Sequence, residues 1–409
     1  MRFTTRLLHS KAAAKYPYGA TVPPISQVSA FAYESAEKLE KVFNNKAPGY
    51  AYTRIGNPTV ADFEQKMNLL EGGVGAVACS SGMAAVSMSL LNILSAGDEV
   101  IASSGLFGGT IDLFRDLAEL GIKTRYVHQI TVREIAPLIN EKTKVVFGEL
   151  ISNPGLDVID VKEVADYVHD KGVPFFVDST TATPYLVNPI KLGADVVIHS
   201  TSKYINGGGN SISGVIIDSG NFTFDKERYH GFDTYQKFGK LAYLIKLRNG
   251  LWRNTGACLA PMNAFMNIVG METLGLRMER ICKNALALAE SLSKIEGVTV
   301  NYPALAGNPY HDLAERQFGG KGGGILTIRV GSKEKAYRFL DQLTCACNAT
   351  NIGDTRTLVI HPATTIYTHN TEEEREAAGV FEDTIRISVG IEDTEDIVED
   401  FTSAAKKLS

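Results

Sequence analysis

Lys203, in the stretch HSTSKYINGGG (residues 199–209), is the residue whose surroundings point most directly to chemistry. Ser200 and Ser202 precede it, Asn206 and three glycines follow it, and the run ADVVIHS before it reads as a buried parallel strand. A lysine at the mouth of such a strand differs from an ordinary solvated surface lysine. The hydroxyls beside it could bind a phosphate, and glycines allow backbone to approach a ligand closely. Upstream, VPFFVDST (residues 173–180) is a second apolar strand, and it ends on Asp178. The separation allows one helix or loop crossover between neighbouring parallel strands. Either residue alone has a plainer reading, Asp178 as a helix N-cap and Lys203 as a surface lysine. The pair in this order suits pyridoxal phosphate held as a Schiff base on Lys203, with Asp178 keeping the ring nitrogen protonated.

Further candidates share this logic. In YAYTRIGNPT, Tyr52 and Arg54 lie two apart and would face one side of an extended segment. A planar guanidinium with a phenol beside it suits a phosphate, although a surface loop with a stray ion pair is the simpler alternative. Thr59 is expected to cap the helix that follows. In SSGMAA, Ser81, Gly82 and Met83 open a helix after an apolar strand, offering free N–H groups to an anion or serving only as a cap. Phe107, in SSGLFGGT, could lie flat on a planar ring or simply pack. Glu149, Asn153 and Pro154 are expected in the loop after another strand, where Asn153 could donate to a ring oxygen or close a turn. Arg386 alternates into TIRISVG among apolar neighbours. A half-buried arginine needs an anion, either a substrate α-carboxylate or a structural carboxylate.

The elements that must position these residues follow from periodicity. Seven strand candidates, GAVACS, EVIASS, KTRYVH, KVVFGE, PFFVDS, DVVIHS and SGVIID, are separated in several places by helical patterns. This is an α/β domain with a largely parallel seven-stranded sheet whose ligand should sit at the carboxyl ends of the strands. Three regions are expected: an extended arm over residues 1–60 with one short helix near SAEKLEKVFNN, a large domain over 61–260, and a smaller α+β domain over 261–409. Residues 219–260 read as a polar, aromatic-rich insertion, followed by one long amphipathic helix from Pro261. TEEEREAAG opens with a capping box from Thr371 to Glu374.

Composition bounds the alternatives. The chain has 409 residues, 44% hydrophobic and 21% charged, with a net charge of −5, which does not favour a nucleic-acid partner. No stretch of 18 apolar residues suggests a membrane span. Five cysteines do not make a disulfide framework, which fits a reducing cytoplasm. Cys345 and Cys347 lack the further ligands of a zinc site and are expected in the core. The proline-punctuated arm lacks the apolar centre of a secretory signal and is expected to remain in the mature protein. GGVGAV has roughly the glycines of a dinucleotide fingerprint but lies after a helix and before a strand, the wrong order, and no Walker sequence is present.

Taken together, YAYTRIGNPT, SSGMAA, SNP, VDST, HSTSKYINGGG, HPATTIYTH and IRISVGIED resemble, in order and over the whole chain, the cystathionine γ-synthase-like family of Cys/Met-metabolism pyridoxal phosphate enzymes, fold type I. YHGF, KLRNGLWRNTGACLAPMNAF, GMETLGLRMER, YHDLAERQF, GGKGGGIL and NIGDTRTLVIHPATT are most similar to its O-acetylhomoserine sulfhydrylase branch. The resemblance implies a homotetramer of two dimers with sites shared across an interface, and amino-acid substrates. It implies Lys203 as the cofactor lysine, Asp178 at the ring nitrogen, and Ser81, Gly82, Met83, Ser200 and Ser202 around the phosphate. Tyr52 and Arg54 would reach that phosphate from the neighbouring subunit, with Asn153 near the ring oxygen and Arg386 near the substrate carboxylate. It implies γ-replacement of an acylated homoserine by sulfur, arriving as sulfide, methanethiol or on a carrier protein. The neighbouring activities are O-succinylhomoserine sulfhydrylase, cystathionine γ-synthase and methionine or cystathionine γ-lyase; a cofactor-binding protein without activity is the alternative from another class. Two departures from the family pattern stand out. Phe107 replaces the usual ring-stacking tyrosine and cannot move a proton, and Asn351 in NIGD stands where the lyases commonly have serine.

Overall fold

A computed structural model describes residues 1–9, 16–44 and 46–408. Residues 10–15 of the arm, and Asn45 in the expected short helix, lie outside the described residues. All seven expected strands form: β1 (Gly75–Cys79), β2 (Glu99–Ser103), β3 (Lys123–Val127), β4 (Thr143–Glu149), β5 (Phe175–Asp178), β6 (Val196–His199) and β7 (Gly214–Asp218). They order as β1-β7-β6-β5-β4-β2-β3. β7 is antiparallel to both its neighbours, β1 and β6, and the remaining pairs are parallel.

The central strands read as unbroken apolar runs because both faces are covered. Val146, Phe175, Val177 and Val197 point into one apolar cluster, and Val145, Phe147, Phe176, Val196 and Ile198 into another on the opposite face. Residues 219–260, expected as a polar insertion, are less polar in effect. Phe222, Phe224, Tyr229, Phe232 and Tyr243 interlock through ring contacts and close the second cluster.

The single long helix expected from Pro261 is two helices, Pro261–Met271 and Leu274–Leu292. The Gly270 carbonyl is taken by Arg277 Nη2 at 2.8 Å, and Thr273 N–H reaches it only at 3.4 Å. That side-chain donor competes with helix continuation and turns the chain. The second helix spans two cores: Leu274 to Cys282 face the large domain, and Ala285 to Leu292 face a third cluster. We therefore place the domain change inside this helix rather than at residue 260, because one amphipathic rod is shared by both cores.

The smaller domain carries β8 (Thr299–Asn301), β9 (Ile325–Arg329), β10 (Cys347–Asn348), β11 (Leu358–Ile360) and β12 (Thr384–Ser388), ordered β10-β11-β12-β9-β8. Thr371 and Glu374 form the expected capping box. Cys345 and Cys347, expected in the core, are exposed. Side chains alternate along this extended edge, and it is Ala346 between them that packs inward. The cap of the helix Pro58–Glu71 is Asn57, which accepts from Thr59 N–H at 3.0 Å. Thr59 itself donates to the Pro24 carbonyl at 2.8 Å and so anchors the arm.

Candidate active site

The strands other than β7 run in one direction, so the ends of β1, β4, β5 and β6 meet along one edge of the sheet. A cavity of about 350 Å³ opens there. Ser81, Gly82, Met83, Phe107, Asn153, Asp178, Ser200, Ser202, Lys203 and Arg386 all line it. Asn351 reaches it through Lys203, whose Nζ donates to Asn351 Oδ1 at 2.6 Å. Eleven candidates drawn from stretches far apart in the chain thus converge on one space.

Lys203 sits on a turn that leaves β6 and is tied down on several sides. Its carbonyl accepts from Gly207 N–H at 2.8 Å, and Arg277 donates to the carbonyls of Tyr204 at 2.6 Å and Ile205 at 3.2 Å. Burial, then the nearby charge of Arg386, lowers its amine to about 8. Such an amine is a usable base and nucleophile near neutral pH.

Asp178 ends β5. Its Oδ1 accepts from Thr180 N–H at 2.9 Å, and Thr180 Oγ1 accepts from Ser200 N–H at 2.8 Å, which joins the β5 and β6 ends. Burial raises the Asp178 carboxyl, opposed by the Thr180 hydrogen bonds and by His199. A cation set against it, such as a protonated ring nitrogen, would oppose that rise.

Ser81 caps the helix Gly82–Leu91 by accepting from Ala84 N–H at 3.0 Å. A Cβ on Gly82 would lie 2.6 Å from Ser200 Cβ, so only glycine lets the helix start and the β6 turn close around a small anion. Ser200 Oγ is free of partners among the described residues. Ser202 Oγ instead accepts from Ser213 N–H at 2.8 Å and donates to the Ser213 carbonyl at 3.1 Å, so its proton is engaged. The glycine run after Lys203 does not face the cavity, contrary to the expectation of backbone approach to a ligand. A Cβ on Gly207 would meet Arg277 at 2.3 Å and one on Gly209 would meet Asp354 at 2.4 Å, so these glycines serve close packing against the helix Leu274–Leu292 and the segment carrying Asp354.

Arg386 is 1% exposed, and burial lowers its guanidinium to about 10. Nη2 donates to the Asn351 carbonyl at 2.8 Å, and Nε has no partner among the described residues. Among the described residues no carboxylate pairs with it, so the structural ion pair weighed from sequence is absent there. Asn153 Oδ1 is likewise buried without a partner among the described residues. Orphaned buried polar groups in a lined cavity are expected where a ligand completes them. The residues therefore fit pyridoxal phosphate: an amine, a carboxylate, a helix start beside the free Ser200 hydroxyl, and an aromatic face in Phe107.

Tyr52 and Arg54 do not line this cavity. Tyr52 forms an isolated antiparallel bridge with Ala30, and the chain then turns, so that Arg54 lies in a turn closed by Ile55 N–H to the Tyr52 carbonyl at 2.9 Å rather than in an extended segment. The guanidinium lies 5.6 Å from the Tyr52 ring centroid, and Nη1 donates to the Arg253 carbonyl at 2.8 Å. Tyr52 is 42% exposed.

Sequence reasoning gave no role to Thr180 and placed Glu149 in a loop. Glu149 is the last residue of β4 and lines the cavity. Burial, then the charge of Asp178, raises its carboxyl to about 8. The signal was available, since KVVFGE ends on an acid as the strand Phe175–Asp178 does. No group of three or more His, Cys, Asp or Glu side chains suited to a metal occurs among the described residues, and none of the described helices is long and apolar enough to cross a membrane.

A family model for Cys/Met-metabolism PLP-dependent enzymes matches residues 4–406. O-acetyl-L-homoserine sulfhydrylase of Corynebacterium glutamicum is 39% identical, with 97% of this chain and 95% of the relative covered. L-methionine gamma-lyase of Fusobacterium nucleatum is also 39% identical, over 96% of this chain and 95% of the relative. A Campylobacter jejuni structure described as an O-acetylhomoserine (thiol)-lyase, with a pyridoxyl-lysine monophosphate, superposes with a TM-score of 0.94 at 32% identity, covering 98% of this chain and 99% of that one.

Proposed function

The chain belongs to the Cys/Met-metabolism PLP-dependent enzymes, and on that premise we propose that it replaces the acetoxy group of O-acetyl-L-homoserine with sulfide, yielding L-homocysteine and acetate for methionine synthesis. The observation that carries this is Arg386, a buried guanidinium without a carboxylate, beside an amine lowered to about 8. That pair suits an α-amino acid whose carboxylate supplies the missing anion.

Pyridoxal phosphate, when bound, supplies an electron-withdrawing ring conjugated to the substrate amine. Lys203 would carry it, Asp178 would hold the ring-nitrogen proton, and Phe107 would cover a ring face. Ser81, Gly82, Met83, Ser200 and Ser202 would hold the phosphate, with Asn153 at the ring oxygen. Tyr52 and Arg54 would reach the phosphate from a neighbouring subunit, in a homotetramer of two dimers in the cytoplasm. Arg386 fixes the substrate carboxylate, with Asn351 beside it, and so sets the Cα–H bond toward Lys203. Once the substrate amine has taken its place, the Lys203 amine would take that proton and, after releasing it, a second one from Cβ, so that acetate leaves Cγ with the C–O electron pair. Sulfide, free or delivered by a carrier protein, adds at Cγ, and protons return to Cβ and Cα.

Phe107 favours an acyl leaving group over a thioether. Acetate departs without a proton, whereas a thiolate is a far stronger base and needs one. Among the described residues lining the cavity no phenol is present to give it. The same argument accommodates the succinyl ester. The deciding experiment is a paired assay. One arm takes O-acetylhomoserine with sulfide and follows homocysteine; the other takes methionine alone and follows 2-oxobutyrate. Homocysteine without 2-oxobutyrate is expected. Efficient 2-oxobutyrate release with little homocysteine would make the protein a γ-lyase.

A further inference from the structure

Two loops flank the cavity from different strands, one carrying Phe107 after β2 and one carrying Asn153 after β4. Each leaves the sheet through one backbone bond, Ser104 N–H to the Val127 carbonyl at 2.8 Å and Leu150 N–H to the Asp178 carbonyl at 2.9 Å, and among the described residues neither Phe107 nor Asn153 is itself bonded to a strand backbone. Glu149 joins them: Oε1 accepts from Phe107 N–H at 2.7 Å, and Oε2 accepts from Asn153 N–H at 3.2 Å. Its side chain is buried at the end of a fully buried strand. On the far side the same two loops are joined again. The Tyr367 hydroxyl lies 2.9 Å from the Leu106 carbonyl and 3.3 Å from the Asn153 carbonyl, and Tyr367 is fully buried on the C-terminal domain. One carboxyl thus gathers both N–H groups, and one phenol gathers carbonyls from both loops.

We propose that Glu149 is a positioning residue that sets the spacing between the Phe107 ring and the Asn153 amide, with Tyr367 closing the same clamp from the second domain. This rests on the function proposed above, since the spacing matters only if a planar ligand lies between those two groups. The ionised carboxyl suits the task because each of its oxygens can accept one backbone N–H in a fixed fork, and those two bonds oppose the rise that burial and Asp178 impose on it. An amide of the same shape cannot: Gln has one acceptor oxygen and turns an NH₂ toward the other donor. Burial keeps water from replacing the lost bond.

The test compares Glu149→Gln and Tyr367→Phe with the unaltered holoenzyme. The readouts are the absorbance and visible circular dichroism of the bound cofactor, kcat and KM, with thermal melting as a control. Glu149→Gln is expected to weaken or shift the visible dichroic band and lower kcat about tenfold or more, as for one lost buried hydrogen bond, while KM changes little because the substrate carboxylate is held by Arg386. Tyr367→Phe moves the band in the same sense and remains informative if the first variant does not fold. A folded Glu149→Gln protein with unchanged band and kcat overturns the proposal. So does a loss that follows melting alone, with the band intact in every folded molecule. If the unaltered protein shows no cofactor band at all, the functional reading itself has failed.

Discussion

Replacing Arg386 by methionine separates a substrate-binding arginine from a structural one, because the two roles predict opposite signs for stability. The guanidinium is buried and unpaired, and its fall to about 10 from the ordinary value corresponds to ~3 kcal/mol of unfavourable desolvation. The group is cationic in both folded and unfolded chains at pH 7, so this cost is present throughout the neutral range and is relieved only as pH rises through about 10. Methionine removes the cost and also removes the hydrogen bond to the Asn351 carbonyl, worth about 1.5–3 kcal/mol for a charged donor. The balance lies between no change and about 1.5 kcal/mol of added stability. Catalysis moves the other way. Two charge-assisted bonds to a carboxylate are lost, about 3–4 kcal/mol, and KM for O-acetylhomoserine rises roughly 10²–10³-fold. Urea unfolding of the apo-protein and steady-state kinetics of the holoenzyme measure the two effects separately. An Arg386→Met protein that is markedly less stable yet keeps its KM would refute the reasoning and return Arg386 to a structural role.

Other outcomes follow from single contacts. Gly82→Ala drives a Cβ to 2.6 Å from Ser200 Cβ, so pyridoxal phosphate affinity should fall, read by equilibrium dialysis, with the large-domain core intact by far-UV circular dichroism. Phe107→Tyr restores a phenol to the cavity wall and should raise 2-oxobutyrate release from methionine relative to homocysteine formation; an unchanged ratio would remove proton supply as the reason for acyl preference. Capture of pyridoxal phosphate by the apo-protein should accelerate as pH rises through about 8, since Lys203 then loses its proton, whereas an ordinary lysine would still be almost wholly charged there. Stopped-flow absorbance across pH 6.5–9.5 measures this, and a flat or falling profile would contradict the lowered amine.

Much of the fold was legible because its signals are local. Six of the seven large-sheet strands carry an apolar run buried on both faces, which makes them unmistakable, while the edge strand β3, Lys123–Val127, is mostly polar and only Val127 is buried. Lys203 and Asp178 could be paired from sequence because chemistry in a parallel sheet gathers at strand ends, and both follow apolar strands directly. Glu149 carried the same mark, yet its two bonds to Phe107 and Asn153 join loops remote in the chain, and no local pattern encodes that. The isolation of Arg386 was likewise decided by tertiary structure. A sequence shows that an arginine will be buried among strand residues, but whether a carboxylate meets it depends on which segments fold around it. The glycines at 207 and 209 belong with these cases. Their type announced close approach, and only the packing of Arg277 and Asp354 determined that the approach is to distant segments of the chain and not to a ligand.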